Sequence, residues 1–257
     1  MREIPYKAVA GGRTLFLHVS PPRESIGSPA PTAVFYHGGG WVAGSWRMFL
    51  PQAARLNALG VLAVLVEYRT EGPVVAAEDA VAAMNAVVEM GHDIGCDPAR
   101  IVAIGGSAGG HLALATAVLD LPNTDPAHRP AALVLLNPVT DTSGDFPAGF
   151  GRRHFDNADQ ARLYSPMHHV GEKTPPMLIM HGMADTAVHH ENSVDFARKV
   201  TSHGGHAEII LYPGQRHGFF NPRIGTSNRP GAENGTYFDR TTREMARFIR
   251  LTVIEKP

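Results

Sequence analysis

Apolar and polar positions along the chain alternate between two textures. Short apolar runs of β type occupy Thr14–Val19, Thr32–Tyr36, Val61–Tyr68, Ile101–Ile104, Ala131–Leu136, Pro176–His181 and Ala207–Tyr212. Between them lie stretches with helical spacing. From Pro73 to Met90 the apolar residues Ala77, Val81, Met84 and Val88 recur so as to build one buried face. Further helices are predicted over Phe49–Leu59, with Gly60 at its C′ position, and over His111–Leu119, Glu191–Val200 and Thr241–Thr252. Strands alternating with helices predict an α/β fold. Its centre is a mainly parallel, twisted sheet of about eight strands with helices on both faces.

Glycine and proline punctuate this pattern. Pro21–Pro31 reads as a connector, Gly91 suits the end of the long helix, and Asp97-Pro98 marks a helix start or turn before the strand ending at Ile104. The stretch from Asp141 to Tyr164 is irregular, so 141–165 is expected to be a small cap insertion that includes Phe146, Phe150 and Phe155. Residues 221–236 read as a loop over the site or at an edge. No internal repeat or linker divides the chain, which predicts a single domain over 1–257.

Composition narrows the function. The chain has 257 residues, 44% of them hydrophobic, enough for one sizeable core. A formal net charge of −1, with no long run of one sign, gives no support to nucleic-acid or polybasic membrane binding. The lone Cys96 excludes an internal disulfide and suits a reducing compartment. Met1–Lys7 lacks the apolar core of a secretory signal, and no apolar run is long enough to span a bilayer. A cytoplasmic location is therefore expected, with a trimmed secreted form and homodimerisation left open.

Three predicted strand ends carry complementary polar residues. Gly105-Gly106-Ser107-Ala108-Gly109-Gly110 follows Ile101–Ile104 and fits G-x-S-x-G, the strand–turn–helix elbow that lifts a serine hydroxyl above a sheet. Asp185 follows the strand ending at His181, and His217 follows the strand ending at Tyr212. In a parallel sheet the loops after strand C-termini gather at one edge. Proton bookkeeping then assigns the roles. His217 takes the Ser107 proton, and Asp185 fixes the imidazole tautomer. Asp141 and Glu191 are the rivals for Asp185. A second motif, His37-Gly38-Gly39-Gly40, lets backbone N–H groups converge without side-chain obstruction. Gly39, Gly40 and Ala108 are the expected oxyanion donors, with His37 as a prop. Trp41 and Phe219 are expected to bind substrate.

Other candidates take bland roles. The His168-His169 and His189-His190 pairs point apart along the chain and predict no metal site. His111 reads as a supporter of the nucleophile helix, Cys96 as an inert small residue, and Tyr68-Arg69 as a structural tie.

The ordered set of motifs resembles the hormone-sensitive-lipase-like and acetylxylan/feruloyl-esterase-like α/β-hydrolases. It runs through His37–Trp41, Glu67–Arg69, Asp97–Ile101, Gly106–Ala113, Ser165-Pro166, His181–Asp185 and His217–Phe220. The resemblance implies the α/β-hydrolase fold and a carboxylic-ester hydrolase working without cofactor or metal on a small-molecule ester. It also implies Ser107, Asp185 and His217 as its triad. Two departures matter. Gly106 stands where the lipase-like branch carries Asp or Glu, and the short stretch before the oxyanion strand implies a reduced cap. Both favour short-acyl or aryl esters, including acetylated or feruloylated sugars. An arylformamidase-like amide hydrolase and a non-catalytic ligand-binding relative are the alternatives.

Overall fold

The computed structural model describes residues 1–23, 29–145, 151–222 and 237–255. Among these residues eight strands form one sheet: β1 Arg2–Ala8, β2 Thr14–Ser20, β3 Ala30–Tyr36, β4 Leu62–Val66, β5 Cys96–Gly106, β6 Ala132–Leu136, β7 Met177–Gly182 and β8 Ala207–Tyr212. Their order is β1-β2-β4-β3-β5-β6-β7-β8. β1 and β2 pair antiparallel at one edge, β2 joins β4 antiparallel, and every pairing from β4 to β8 is parallel. The helices are α1 Leu50–Asn57, α2 Pro73–Glu89, α3 Gly91–Ile94, α4 Ala108–Val118, α5 Ala158–Leu163, α6 Glu191–Ser202 and α7 Tyr237–Ile249.

The central strands are apolar on both sides because both faces are covered. Val34, Val64, Ala103 and Leu135 point into one core, against Ala77 and Met84 of α2, Leu112 of α4 and Phe196 of α6. Their neighbours Phe35, Leu65, Ile104 and Leu136 point into the other, against Leu56 of α1 and Met245 and Phe248 of α7. Period-2 alternation thus divides each strand between two helical layers.

Some expectations shift. β1 was not foreseen, because its residues are mostly exposed and polar, with Pro5 at a register irregularity. Asp97-Pro98 starts no helix. It lies inside β5, where the Asp97 carboxylate accepts from Ala99 N–H at 3.0 Å and the register with β3 slips. α2 ends at Glu89 with Met90 as its cap, just before Gly91 as expected, but Gly91 opens the short α3, which closes on left-handed Gly95 with φ +78°. The closing helix starts earlier than expected, at Tyr237, and ends in a π-turn over Arg250–Ile254. Of the stretch expected as a cap, Phe155 is buried against Tyr164, with ring centroids 6.0 Å apart, and Phe146 and Phe150 lie outside the described residues. So does most of the 221–236 loop.

Candidate active site

Ser107 stands between β5 and α4 with φ 57° and ψ −122°, a strained conformation for a residue with a side chain. The elbow is held by the sheet itself. Ser107 N–H donates to Leu136 C=O on β6 at 2.8 Å, and Val139 N–H donates to Ser107 C=O at 3.3 Å. Asp185 follows β7 and His217 follows β8. Their two loops are sewn together, since Ala184 N–H donates to Gln215 C=O at 2.8 Å.

The three side chains meet. His217 Nε2 lies 2.9 Å from Ser107 Oγ, and His217 Nδ1 lies 2.6 Å from Asp185 Oδ2. With Nδ1–H donating to the carboxylate, Nε2 is left to accept the serine proton. The Asp185 side chain is fully buried, whereas His217 is 31% exposed at the cleft. Burial alone would push the Asp185 carboxyl up. Hydrogen bonds from His181, His217 and the Val188 N–H outweigh it and hold the group well below the usual carboxylate range.

The hydrogen bonds around Asp185 involve residues whose roles were not read from sequence. Oδ1 accepts from Ala187 N–H at 2.9 Å and Val188 N–H at 3.0 Å. Oδ2 also accepts from Asn137 Nδ2 at 2.6 Å and faces His181 Nε2 at 3.2 Å. Asn137 sits just past β6 with φ 46°, and the Asn-Pro pair at that strand end is the one signal that could have found it. The rivals are engaged elsewhere. Asp141 accepts from Ser143 N–H at 3.0 Å and Ser165 Oγ at 2.8 Å, and Glu191 faces His190 at 3.3 Å.

The glycine loop follows β3 beside the elbow. Gly39 C=O is turned inward, accepting from Val42 N–H at 3.2 Å and Ala43 N–H at 3.0 Å. His37 is buried in the loop's support. Tyr68 OH donates to His37 C=O at 2.7 Å, and the two rings stack with centroids 4.1 Å apart. Burial lowers the His37 pKa, which suits a neutral prop. Ala108 is the first residue of α4, so its N–H has no partner within the helix.

A cleft of about 360 Å³ opens over these groups, lined by Gly38–Gly40, Ser107 and His217 together with the apolar side chains of Met48, Phe49, Val188 and Phe220. The two residues expected to bind substrate are not among its lining. Trp41, with φ 63°, is fully buried, and its Nε1–H donates to His111 Nδ1 at 3.3 Å. His111 in turn donates from Nε2 to Tyr164 C=O at 2.7 Å. The indole therefore turns away from the cleft toward a buried acceptor. Phe219 packs inward on Tyr212, with centroids 4.8 Å apart, and the next residue, Phe220, takes the wall instead. The described residues of 141–165 do not line the cleft either.

Cys96 is buried, and burial pushes its thiol up to about 11. Among the described residues no group of three or more His, Cys, Asp or Glu is arranged to hold a metal ion, and no helix is long and apolar enough to cross a membrane.

An elbow serine hydrogen-bonded to a carboxylate-oriented histidine, at the C-terminal edge of a mostly parallel sheet, defines a serine hydrolase architecture. Comparison with known proteins agrees. The family model described as alpha/beta hydrolase fold matches residues 33–221, and the chain belongs to that family. It is 30% identical over 222 residues to carboxylesterase NlhH of Mycobacterium tuberculosis, covering 74% of this chain and 67% of that one. It is 26% identical over 225 residues to a probable isoprenylcysteine alpha-carbonyl methylesterase, ICMEL1, of Arabidopsis thaliana, covering 76% of this chain but only 47% of the plant protein. Among solved structures, the apo form of Thermogutta terrifontis esterase 2 superposes with a TM-score of 0.85 at 30% identity, covering 100% of this chain and 96% of that one.

Proposed function

We propose that this protein is a serine carboxylesterase that cleaves short-acyl or aryl esters of small molecules through an acyl-enzyme. The observation that carries the reading is the continuous relay from Asp185 Oδ2 through His217 to Ser107 Oγ, with links of 2.6 and 2.9 Å. Ser107 Oγ attacks the ester carbonyl as His217 Nε2 takes its proton. The carbonyl oxygen, now negative, is received by the N–H groups of Gly39, Gly40 and Ala108. His217 then protonates the departing alcohol. In the second half-reaction His217 activates water, which releases the acid and restores Ser107.

The apolar cleft supports small uncharged acyl groups. Its size falls within the range of small-molecule sites, at about 300–1,000 Å³, and among the described residues Asn221 is its one polar lining side chain outside the triad. The named relatives point the same way. Structures of Thermogutta terrifontis esterase 2 have been described with propionate and with butyrate bound. An intact base and acid support catalysis over mere ligand binding. The single buried thiol is compatible with a reducing compartment.

The test is hydrolysis of p-nitrophenyl acetate, butyrate and a long-chain ester, with an N-formyl aryl amide alongside, by wild type and Ser107→Ala. Short esters should be turned over fastest, with the serine variant down by at least about 10⁴-fold. Equal turnover by the two proteins would sink the reading. A faster formamide reaction would move it to amide hydrolysis.

A further inference from the structure

Gly106, the last residue of β5, is buried directly before the nucleophile. A Cβ placed on it would stand 2.7 Å from Phe220 Cζ, 3.2 Å from Phe220 Cε2 and 3.4 Å from Phe49 Cζ. The first distance is far inside van der Waals contact. The Phe220 ring thus occupies the volume that any side chain at 106 would need. The ring is also packed on a neighbour. It stacks on Phe49 with an interplanar angle of 5° and centroids 6.2 Å apart. Buried Gln52 donates from Nε2 to Phe220 C=O at 3.3 Å, tying the segment to α1. Phe49, Gly106 and Phe220 all line the cleft beside Ser107.

We infer that Phe220, seated on Gly106 and backed by Phe49, is the wall that limits acyl length, admitting acetyl to butyryl groups and excluding longer chains. The inference rests on the esterase reading above. During acylation the carbonyl oxygen faces the glycine loop and the leaving oxygen faces His217 Nε2. An acyl chain laid over the backbone of Gly106, which lines the cleft beside Ser107, runs into the ring. The missing side chain at 106 and the aromatic at 220 are therefore one device. A side chain at 106 and the phenyl ring in its present position compete for one volume. The glycine permits the ring, and the ring shortens the pocket.

The experiment measures kcat/KM on p-nitrophenyl acetate, butyrate, hexanoate and octanoate, and on acetates of increasing alcohol length. Wild type, Phe220→Leu and Phe220→Ala are compared, with thermal melts run alongside. The hexanoate-to-acetate ratio should rise about tenfold or more in Phe220→Ala, the discrimination a small apolar volume supplies. Phe220→Leu should fall between, and it carries the test if the alanine variant does not fold. The order of the alcohol series should not change. A second arm places Gly106→Ala in both backgrounds. Alone it should push the ring into the cleft and depress butyrate turnover more than acetate. Combined with Phe220→Ala the penalty should shrink, the non-additivity expected of touching residues. An unchanged acyl ratio, a change confined to the alcohol series, or additive losses would overturn the wall while leaving the esterase reading intact. Absence of any Ser107-dependent ester turnover in wild type would overturn both.

Discussion

Asn137 Nδ2 lies 2.6 Å from Asp185 Oδ2, the same oxygen that His217 Nδ1 approaches at 2.6 Å, and 3.4 Å from His217 Nδ1 itself. The amide therefore sits inside the acid–base pair. It shares the carboxylate lone pairs with the imidazole and limits how strongly Asp185 holds the imidazolium. The position is reached at a cost. Asn137 has φ 46°, and its Oδ1 is buried with no partner among the described residues. A positive φ and an unsatisfied buried oxygen held beside the Asp185 carboxylate make Asn137 a candidate positioning residue.

Replacing Asn137 by alanine should lower kcat/KM on p-nitrophenyl acetate by about tenfold, the scale of one hydrogen bond to a charged group. The loss should fall on kcat with KM little changed, because the amide touches the acid–base pair and not the cleft lining. Asn137→Asp sets a second carboxyl against Asp185 and should lose more. A fall in Tm with kcat unchanged would make Asn137 a structural residue only.

Asp185→Asn should lower kcat by about 10⁴-fold, because the wrong imidazole tautomer then faces Ser107. The same substitution should change acid stability. The folded-state pKa of Asp185 lies below the ordinary carboxylate value, so the native state holds fewer protons than the unfolded chain. Its stabilisation is complete above the unfolded value, about pH 4, and is lost as pH falls through the lower folded value. Melts at descending pH should therefore show a shallower decline below pH 4 for the variant. Parallel curves for the two proteins would contradict this origin of the acid sensitivity.

The glycine loop separates two kinds of glycine. Gly39 has φ +126°, and a Cβ there would lie 2.1 Å from Ala43 C=O, whereas Gly40 has φ +62° and open space. Gly39→Ala must reshape the loop and should lower kcat by about 10²–10³-fold, as loss of an oxyanion donor does. Gly40→Ala should cost only the left-handed conformation, about 1–2 kcal/mol, and keep most turnover. Equal losses would mean that the loop does not depend on the close approach at Gly39. Kinetics on p-nitrophenyl acetate with paired melts decide between these.

What could be read from the chain follows from where information is local. The apolar runs of β3 to β7 and the long face of α2 were legible because burial on both sheet faces writes itself as continuous hydrophobicity. β1 was not, because an exposed edge strand such as Arg2–Ala8 carries no such signal. Ser107, Asp185 and His217 were legible because each stands at a fixed place after a strand. Asn137 carried only the weak Asn-Pro signal, since its contact to Asp185 depends on a left-handed turn that no motif announces. Trp41 and Phe219 were assigned to the cleft by sequence adjacency. A single positive-φ residue reverses that inference: Trp41 at φ 63° and Gly218 at φ 74° send the side chains elsewhere.

His111 joins Trp41 to the rest of the core and should make the fold sensitive to mild acid. It is fully buried, accepts from Trp41 Nε1 and donates to Tyr164 C=O, and burial holds its pKa down at about 4. In the unfolded chain an imidazole titrates at about 6.5. Between those values the unfolded state binds a proton that the native state refuses. The stabilisation is thus complete above about pH 6.5 and is lost as pH falls through about 4. This window lies above that of Asp185, so the two effects separate. His111→Gln keeps a neutral donor for Tyr164 C=O. It should melt lower than wild type at pH 7.5, yet lose less Tm on going to pH 5. The slope should be shallower but not flat, because burial lowers the His37 pKa in the same direction. If wild type and His111→Gln lose equal Tm over that interval, the mild-acid sensitivity does not come from this histidine.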